Sequence, residues 1–474
     1  MRNKSLKQKK SYIKLTTGES RFILLLGDII FASIALVIAL YFWAQDDWLD
    51  LTFDFLVQRA PFWFFILPVV WIILLFDLYD IQRASKRDDT LKGISLAALI
   101  SLGIYLIVYF TSPPSSLPRR GVAVFILAAF ILTLIWRVLY IRIFTAPVFM
   151  SRVLIVGAGR AGETLSKVIN RMLPKPFFLV GFIDDDPQKI GEEINGFPIL
   201  GGCKALASII EEYDVSDIVF SISGDMTPDM FQAIINAGEQ GIEVTTMPIM
   251  YEELLNRVPI LLLQSDWIIR SFLDQSQTSS LYKISKRFID IFGALIGLFI
   301  LVILFPLISI VILLDTGAPI IYKQDRLGKN GKEYKILKFR TMFTDAESDG
   351  KAKLAKQNDS RITKVGRLLR RTHLDELPQF INILRGEMSI VGPRAERKQL
   401  VNNLQNDVPF YRGRLLVKPG LTGWAQINYG YASSIEDNTT KLEFDLYYIK
   451  HRTIFLDFLI IIRTIGTVFG FKGM

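Results

Sequence analysis

Two adjacent carboxylates, Asp375 and Glu376, stand inside the densest constellation of charge in the chain, Arg370-Arg-Thr-His-Leu-Asp-Glu-Leu-Pro-Gln379. Pro378 is tolerated only in the first turns of a helix, and Gly386 after Arg385 is a stop signal, so the pattern predicts a helix starting near Thr372 or Asp375 and ending at Arg385. The acids then lie at a helix N-terminus, where free N–H groups and the helix dipole favour negative charge, of a carboxylate or of an arriving phosphate. Two readings stand. Spacing alone favours helix capping, with the arginines as solvated charge. The alternative makes an ionised Asp a nucleophile and, with its neighbour, a magnesium ligand for phosphoryl transfer.

Other phosphate-compatible groups flank this cluster: Lys338-Phe-Arg340-Thr-Met342, Ser389-Ile-Val-Gly-Pro-Arg394 and Lys418-Pro-Gly-Leu-Thr-Gly-Trp424. Arginine grips a diphosphate by paired hydrogen bonds, and Gly-Pro loops hold a fixed pose. Residues 316–474 hold 27 Lys and Arg against 16 Asp and Glu, a net +11, whereas residues 1–315 hold 28 against 30, a net −2. The basic excess thus lies wholly on the segment with the acid pair. Anionic headgroups, phosphorylated lipids and nucleotides are the partners this suits, and nucleic acid is not expected because no recognition motif accompanies the charge.

The elements that must position these residues begin in a membrane. Hydrophobic residues make up 51% of the 474 and charged ones 21%. Four apolar stretches, Phe22–Trp43, Phe62–Tyr79, Ile94–Thr111 and Val122–Phe144, each approach the roughly 20 residues that cross a bilayer as a helix. Lys4, Lys7, Lys9, Lys10, Lys14 and Arg21 before the first stretch, and Asp46, Asp47 and Asp50 after it, place the N-terminus in the cytoplasm. Arg83, Lys86, Arg87 and Lys92 repeat the rule in the second loop. Arg119 and Arg120, near the loop prolines Pro113, Pro114 and Pro118, run against it. Asp28 and Asp77, inside or at the ends of spans, read as structural acids.

From Ser151 the pattern changes to short strands and helices. Arg152–Val156 reads as a buried strand, Gly157, Gly159 and Gly162 form a G-x-G-x-x-G turn into a helix, and a second strand, Phe178–Ile183, ends at Asp184. This is the dinucleotide fingerprint in its proper context, with glycines for close approach to a phosphate and an acid for a ribose hydroxyl. A Rossmann-like fold is the expectation. A nucleotide bound there, and a spacer or regulatory role without one, both stay open. Asp217–Ser221 and Ile242–Thr246 read as later strands of the same sheet.

Ile289–Leu314 is a fifth apolar run, charged only at Asp290 near its start, but Pro306 lies in it, where proline removes a helix hydrogen bond. Lys283, Lys286 and Arg287 precede the run, and Lys323, Arg326, Lys329 and Lys332 follow it. Positive charge on both flanks argues for a proline-broken helix that enters and leaves by the cytoplasmic face. The tail from Ile454 through Phe469 is punctuated by Asp457 and Arg463 and reads as an interfacial helix.

These residues resemble the bacterial polyprenyl-phosphate sugar-phosphotransferases, in the large form that initiates exopolysaccharide, capsule or O-antigen assembly. The matching stretches are Lys286-Arg287-Phe-Ile-Asp290, Lys338–Met342, Arg371–Gln379, Ser389–Arg394 and Lys418–Trp424. The resemblance implies transfer of a sugar-1-phosphate from a UDP-sugar to undecaprenyl phosphate, with magnesium and release of UMP. Asp375 would be the nucleophile that forms an aspartyl phospho-sugar, and Glu376, with Asp375, the metal ligand. Lys338, Arg340, Arg371, Arg394 and Lys418 would bind substrate, and Lys286, Arg287 and Pro306 would face lipid. The chain departs from the family pattern at Phe305, where serine is frequent, at His373, where a small hydroxyl residue is usual, and at Ala395, where proline is common.

The expected layout is a membrane α plus α/β protein: four transmembrane helices in 1–147, a Rossmann-like domain in 148–260, a linker in 261–280, a re-entrant helix in 281–315, and a mostly helical cytoplasmic catalytic domain in 316–474. It would sit in the bacterial inner membrane, and association between identical copies is compatible with the sequence. One cysteine, Cys203, excludes an intrachain disulfide framework, and two histidines argue against a His/Cys zinc site. The rival functions are a membrane-anchored NAD-dependent sugar-nucleotide epimerase or oxidoreductase, with Tyr334 and Lys338 as a Tyr-x-x-x-Lys pair, and a glycosyltransferase using Asp184 and Asp186. A scaffold without enzymatic activity is a third.

Overall fold

A computed structural model describes residues 17–46, 51–79, 84–111, 118–144, 150–172, 175–222, 226–262, 279–343, 359, 361–430 and 434–469. The lysines before residue 17, Asp47 and Asp50, Arg83, Pro113 and Pro114, and most of the expected 261–280 linker lie outside the described residues. The chain divides into two compact units, with the change falling near residue 245.

In the first unit, α1 (Thr17–Asp46), α2 (Leu67–Leu74), α3 (Arg87–Thr111) and α4 (Arg119–Phe144) surround an apolar core of Ala32, Ala35, Ala39, Phe64, Trp71, Ile94 and Phe125. Small residues let α1 and α4 approach closely, as helices in lipid require. A Cβ on Gly27 would fall 2.0 Å from the Trp136 ring. Asp28 and Arg137, both fully buried, form an ion pair at 2.6 Å between these helices, and Arg137 also donates to the Leu78 carbonyl. The structural reading of Asp28 holds.

The second apolar stretch differs from expectation. It forms a 3-10 turn, Phe62–Ile66, then α2, then a further 3-10 turn, Phe76–Tyr79. Pro68 has no N–H to donate and fixes the start of α2. The run Phe62–Leu74 is about 20 Å of helix against a hydrocarbon core of about 30 Å. Four described helices are long and apolar enough to cross a membrane, but three belong to the N-terminal region and the fourth is Ser280–Thr316.

A six-stranded sheet follows, built from β1 (Arg152–Val156), β2 (Phe178–Ile183), β3 (Glu193–Ile194), β4 (Phe197–Gly201), β5 (Asp217–Phe220) and β6 (Glu243–Thr246) in the order β3-β4-β2-β1-β5-β6. β1 pairs parallel with β2 and β5, β2 parallel with β4, and β3 antiparallel with β4. Helices α5 (Arg160–Arg171), α6 (Leu206–Tyr213) and α7 (Pro228–Glu239) connect the strands. Near-continuous burial of β1 and β2 is what a strand covered on both faces requires.

The second unit starts with α8 (Met247–Leu255) and is organised along α9 (Ser280–Thr316), a 37-residue helix that continues through Pro306. An antiparallel hairpin of β7 (Ile321–Leu327) and β8 (Glu333–Phe339) follows, then α10 (Lys364–Arg371), α11 (Gln379–Arg385), β9 (Ser389–Val391), α12 (Lys398–Asp407), β10 (Gly420–Thr422), α13 (Ile435–His451) and α14 (Ile454–Phe469). One stripe of α9, comprising Asp290, Ala294, Gly297, Leu301, Ile308, Ser309 and Ile312, is buried along its whole length. Leu301 before the proline and Ile308 and Ile312 after it join one cluster with Phe339 and Leu369. Asp290 accepts hydrogen bonds from Ser389 Oγ (2.8 Å) and the Ile390 N–H (2.9 Å), which fixes α9 against β9.

Candidate active site

The acid pair sits in a 3-10 turn, Leu374–Glu376, directly before α11, whose C-cap Gly386 is left-handed at φ 83°. His373 enters the turn at φ 56°, a left-handed conformation that histidine adopts more readily than most side chains. Neither the turn nor α11 receives a side-chain cap hydrogen bond. The capping reading of Asp375 and Glu376 therefore fails.

Glu376 is bound by cations instead. Lys338, on β8, donates to Glu376 Oε1 at 2.6 Å, and Arg394, just beyond β9, reaches the same oxygen at 3.3 Å. Asp375 is 7% exposed, and among the described residues its carboxylate accepts no hydrogen bond. Burial raises the Asp375 carboxyl to about 6, with Lys338 and Arg370 opposing the rise and the Glu376 charge adding to it. Burial pushes Glu376 upward too, but Lys338 and Arg394 outweigh it and bring that carboxyl down to about 2. Neighbouring acids with separated titrations mark divided roles. Glu376 is a permanent anion held by cations, while Asp375 is a more basic carboxylate, still ionised at neutral pH.

The family of bacterial sugar transferases matches residues 281–471, from the start of α9 to beyond α14, and a family described as a CoA-binding domain matches residues 74–248. Exopolysaccharide production protein PSS of Rhizobium leguminosarum is 39% identical over 186 residues, which are 38% of this chain and 92% of that protein. The chain belongs to the bacterial sugar transferase family. Two further relatives are a UDP-N-acetylgalactosamine-undecaprenyl-phosphate N-acetylgalactosaminephosphotransferase of Aeromonas hydrophila and a UDP-glucose:undecaprenyl-phosphate glucose-1-phosphate transferase of Escherichia coli. They are 38% and 41% identical over 217 and 197 residues, or 46% and 41% of this chain. The matches span 50% and 41% of those two proteins, half or less of their length.

Not every residue singled out from the sequence of this family member meets the acid pair. Lys338 and Arg394 do. Arg340 is buried, and its guanidinium donates to Thr316 Oγ1, the Gly317 carbonyl and the Ala318 carbonyl, so it closes the C-terminal end of α9 rather than facing substrate. Arg371 is exposed and makes no contact with the pair among the described residues. Its neighbour Arg370 donates from Nε to Thr341 Oγ1 at 2.8 Å and acts electrostatically on Asp375. Sequence spacing could not choose between adjacent arginines; the helical phase of α10 does.

Lys286 donates to Asp457 Oδ2 (3.0 Å) and the Tyr448 hydroxyl (3.1 Å), tying α9 to α13 and α14. Arg287 donates to the last carbonyls of α11, at Ile383 and Leu384 (both 2.8 Å). Lys418 stands beside Arg287 near Gly386, and burial together with that neighbouring charge lowers its pKa. These cations gather at the N-terminal part of α9, apart from the acid pair. Phe305 packs its ring 5.8 Å from that of Phe339, so packing replaces any hydroxyl contact beside Pro306. Ala395 fills a small-residue position among Ala294, Tyr334 and Met388.

In the α/β sheet, Gly157 adopts φ 108°, and a Cβ on Gly159 would meet only open space. Asp184 accepts from the Ala158 N–H (2.8 Å) with one oxygen and from the Asp186 N–H (3.0 Å) with the other, and pairs with Lys189 at 3.3 Å. Burial pushes its pKa up, but these donors outweigh burial and lower it. One oxygen of the acid pins the glycine turn at Ala158, and the other holds the Asp186 N–H.

Proposed function

We propose that the protein transfers a sugar-1-phosphate from a UDP-sugar to undecaprenyl phosphate, releasing UMP, as the first membrane step of exopolysaccharide, capsule or O-antigen synthesis. The supporting observation is the split acid pair, with Glu376 clamped by Lys338 and Arg394 beside the buried and more basic Asp375. An ionised Asp375 Oδ attacks the β-phosphorus of the donor. The bond from that phosphorus to the bridging oxygen breaks, and the oxygen leaves with UMP. An oxygen of undecaprenyl phosphate then attacks the phosphorus of the aspartyl phospho-sugar, freeing Asp375 and giving the lipid diphosphate sugar. Arg394 and Lys338 supply positive charge where the diphosphate develops negative charge, and Arg370 adds to the field.

The donor set suits magnesium, a hard cation that takes one or two carboxylates and completes its shell with water and phosphate oxygens. Glu376 and Asp375 are the residues that would hold it. Among the described residues no third acid, histidine or cysteine joins them, so water and phosphate oxygens would have to complete its shell. Bound there, magnesium would supply charge neutralisation of the diphosphate.

The catalytic unit is read as resting on the cytoplasmic face of the bacterial inner membrane, with α9 entering and leaving by that face. Support comes from both ends of the helix. Arg287 and Asp290 are held by α11 and β9, while Thr316 is held by Arg340 just after β8. A charged domain that lines the whole helix cannot accompany it through hydrocarbon. The α/β sheet is read as Rossmann-like, serving as spacer or regulator. A ribose would find both oxygens of Asp184 engaged, and Lys338 of the Tyr-x-x-x-Lys pair is engaged by Glu376, so an NAD-dependent epimerase is disfavoured.

The test is to incubate purified protein with undecaprenyl phosphate, magnesium and a panel of UDP-sugars and follow the nucleotide released. UMP supports the proposal. Release of UDP, or no release with any donor, contradicts it.

A further inference from the structure

Between β9 and α12 the chain runs through residues 392–397 with no helix or strand of its own, and Arg394 stands near the middle of this passage. Its side chain is 50% exposed and meets Glu376 at 3.3 Å. One contact at a half-exposed site offsets little of the rotamer freedom that so long a side chain loses when it is ordered. The backbone supplies the rest. Four successive carbonyls of the passage each accept a hydrogen bond from a different residue. Pro393 accepts from the Gly420 N–H (2.8 Å), Arg394 from Arg414 Nη2 (3.4 Å), Ala395 from Arg326 Nη1 (3.1 Å) and Glu396 from the Leu327 N–H (3.0 Å). The fit leaves no room for a side chain at Gly392, where a Cβ would run into the Lys418 carbonyl.

Two of the four donors are guanidiniums that other bonds hold still. Arg414, in the 3-10 turn Tyr411–Leu416, is buried and donates to the Tyr411 hydroxyl and to the buried Asp445 Oδ2, both at 2.7 Å. Arg326, on β7, donates to Gln324 Oε1 at 2.7 Å. Glu396 lies between them, 3.6 Å from Arg414 and 3.9 Å from Arg326. Among the described residues neither arginine contacts Asp375 or Glu376, so they act on the acid pair only through the passage they hold.

We propose that Arg414 and Arg326 are positioning residues that aim Arg394 at Glu376. The inference rests on the proposed transfer, in which Arg394 puts positive charge where the diphosphate gains negative charge. Such a group works best when it is fixed before the charge develops, and a misplacement of about 1 Å costs roughly a hundredfold in rate. Holding Arg394 by its carbonyl achieves this without engaging its guanidinium. Among the described residues Glu376 is that guanidinium's one hydrogen-bond partner, so its other N–H groups stay open to phosphate oxygens. A side-chain partner would compete with the substrate for them.

The experiment uses the full-length protein in nanodiscs, with kcat read from UMP release in the presence of a UDP-sugar and undecaprenyl phosphate. Removing Arg414 alone would leave the buried Asp445 unpaired, so the two are replaced together, Arg414→Met with Asp445→Leu, an exchange that a buried ion pair often tolerates. The exchange should lower kcat by about tenfold or more. In an Arg394→Met background the same exchange should change kcat by less than about twofold, because no guanidinium is left to aim. A fall by the same factor in both backgrounds would show a general structural role and overturn the inference. If the exchanged pair does not fold, Arg326→Met goes through the same cycle with the same results expected. A cryo-electron microscopy structure of the variant gives an answer that needs no turnover: the Arg394 guanidinium should have left Glu376, and a contact kept as in the wild type overturns the inference. A wild type that transfers no sugar phosphate would contradict the proposed function, and that structure then decides the positioning by itself.

Discussion

Lys338 Nζ and Glu376 Oε1 lie 2.6 Å apart, joining the second strand of the hairpin to the turn before α11. Both side chains are mostly buried, so the contact is shielded from solvent and salt. The same ammonium opposes the rise in the Asp375 pKa, so Lys338 acts on the proposed nucleophile as well as clamping its neighbour.

The pH profile should show this. In the free protein Asp375 titrates at about 6, and the proposed attack needs it ionised, so log kcat/KM should fall as pH drops through about 6. Lys338→Met removes a charge that lowers the Asp375 pKa, so the acidic limb should move upward by at least about one pH unit, with kcat/KM down tenfold or more. A limb that stays in place in Lys338→Met would separate Lys338 from Asp375.

Arg340→Met tests a different assignment. Because Arg340 closes the end of α9 through Thr316, Gly317 and Ala318, the variant should lose about 2 kcal/mol or more of stability. Its KM for the UDP-sugar should stay close to that of the wild type. A stable variant with a much raised KM would return Arg340 to the substrate site.

The segment from α8 to Leu262 precedes the residues matched by the sugar transferase family, yet it completes the core of the second unit. Val258 and Ile260 are buried in that core, Trp424 donates to the Asn256 carbonyl at 2.9 Å, and Glu252 pairs with Lys450 (2.8 Å) and His451 (2.8 Å). Burial raises the Glu443 carboxyl to about 7, with Arg257 opposing the rise. A raised acid favours the folded state at low pH, so this contribution is full below about 4.5 and is lost as pH climbs to about 7. The melting temperature of the wild type relative to Glu443→Gln should fall between those limits. A constant difference would mean that Glu443 does not titrate there.

For the topology, a cysteine at Asn330, in a protein whose Cys203 has been replaced, should be shielded from impermeant thiol reagents in intact cells and labelled after lysis. Labelling in intact cells would place the β7–β8 hairpin outside and refute entry and exit of α9 on one face.

The apolar periodicity and the G-x-G-x-x-G turn were legible in the sequence because they are local. β1 and β2 fall where the strand pattern places them, and the acid pair was visible as a cluster. What stayed hidden depends on meetings across the fold. Arg340 reads as a phosphate ligand until Thr316 is beside it, and Arg370 and Arg371 differ only in the direction α10 presents them. The second apolar stretch has the composition of a span, but Pro68 and the flanking 3-10 turns shorten its helix. Residues after β6 continue the α/β pattern in sequence, whereas Val258 and Ile260 belong to the core of the second unit.

The central claim is that Asp375 accepts the phospho-sugar, and single-turnover UMP release tests it most directly. Purified protein, magnesium and an excess of the accepted UDP-sugar, with undecaprenyl phosphate left out, should release about one UMP per active site and then stop. Asp375→Asn should release none, with its fold and UMP affinity intact. UMP release that requires undecaprenyl phosphate, or a burst that survives Asp375→Asn, would contradict the account.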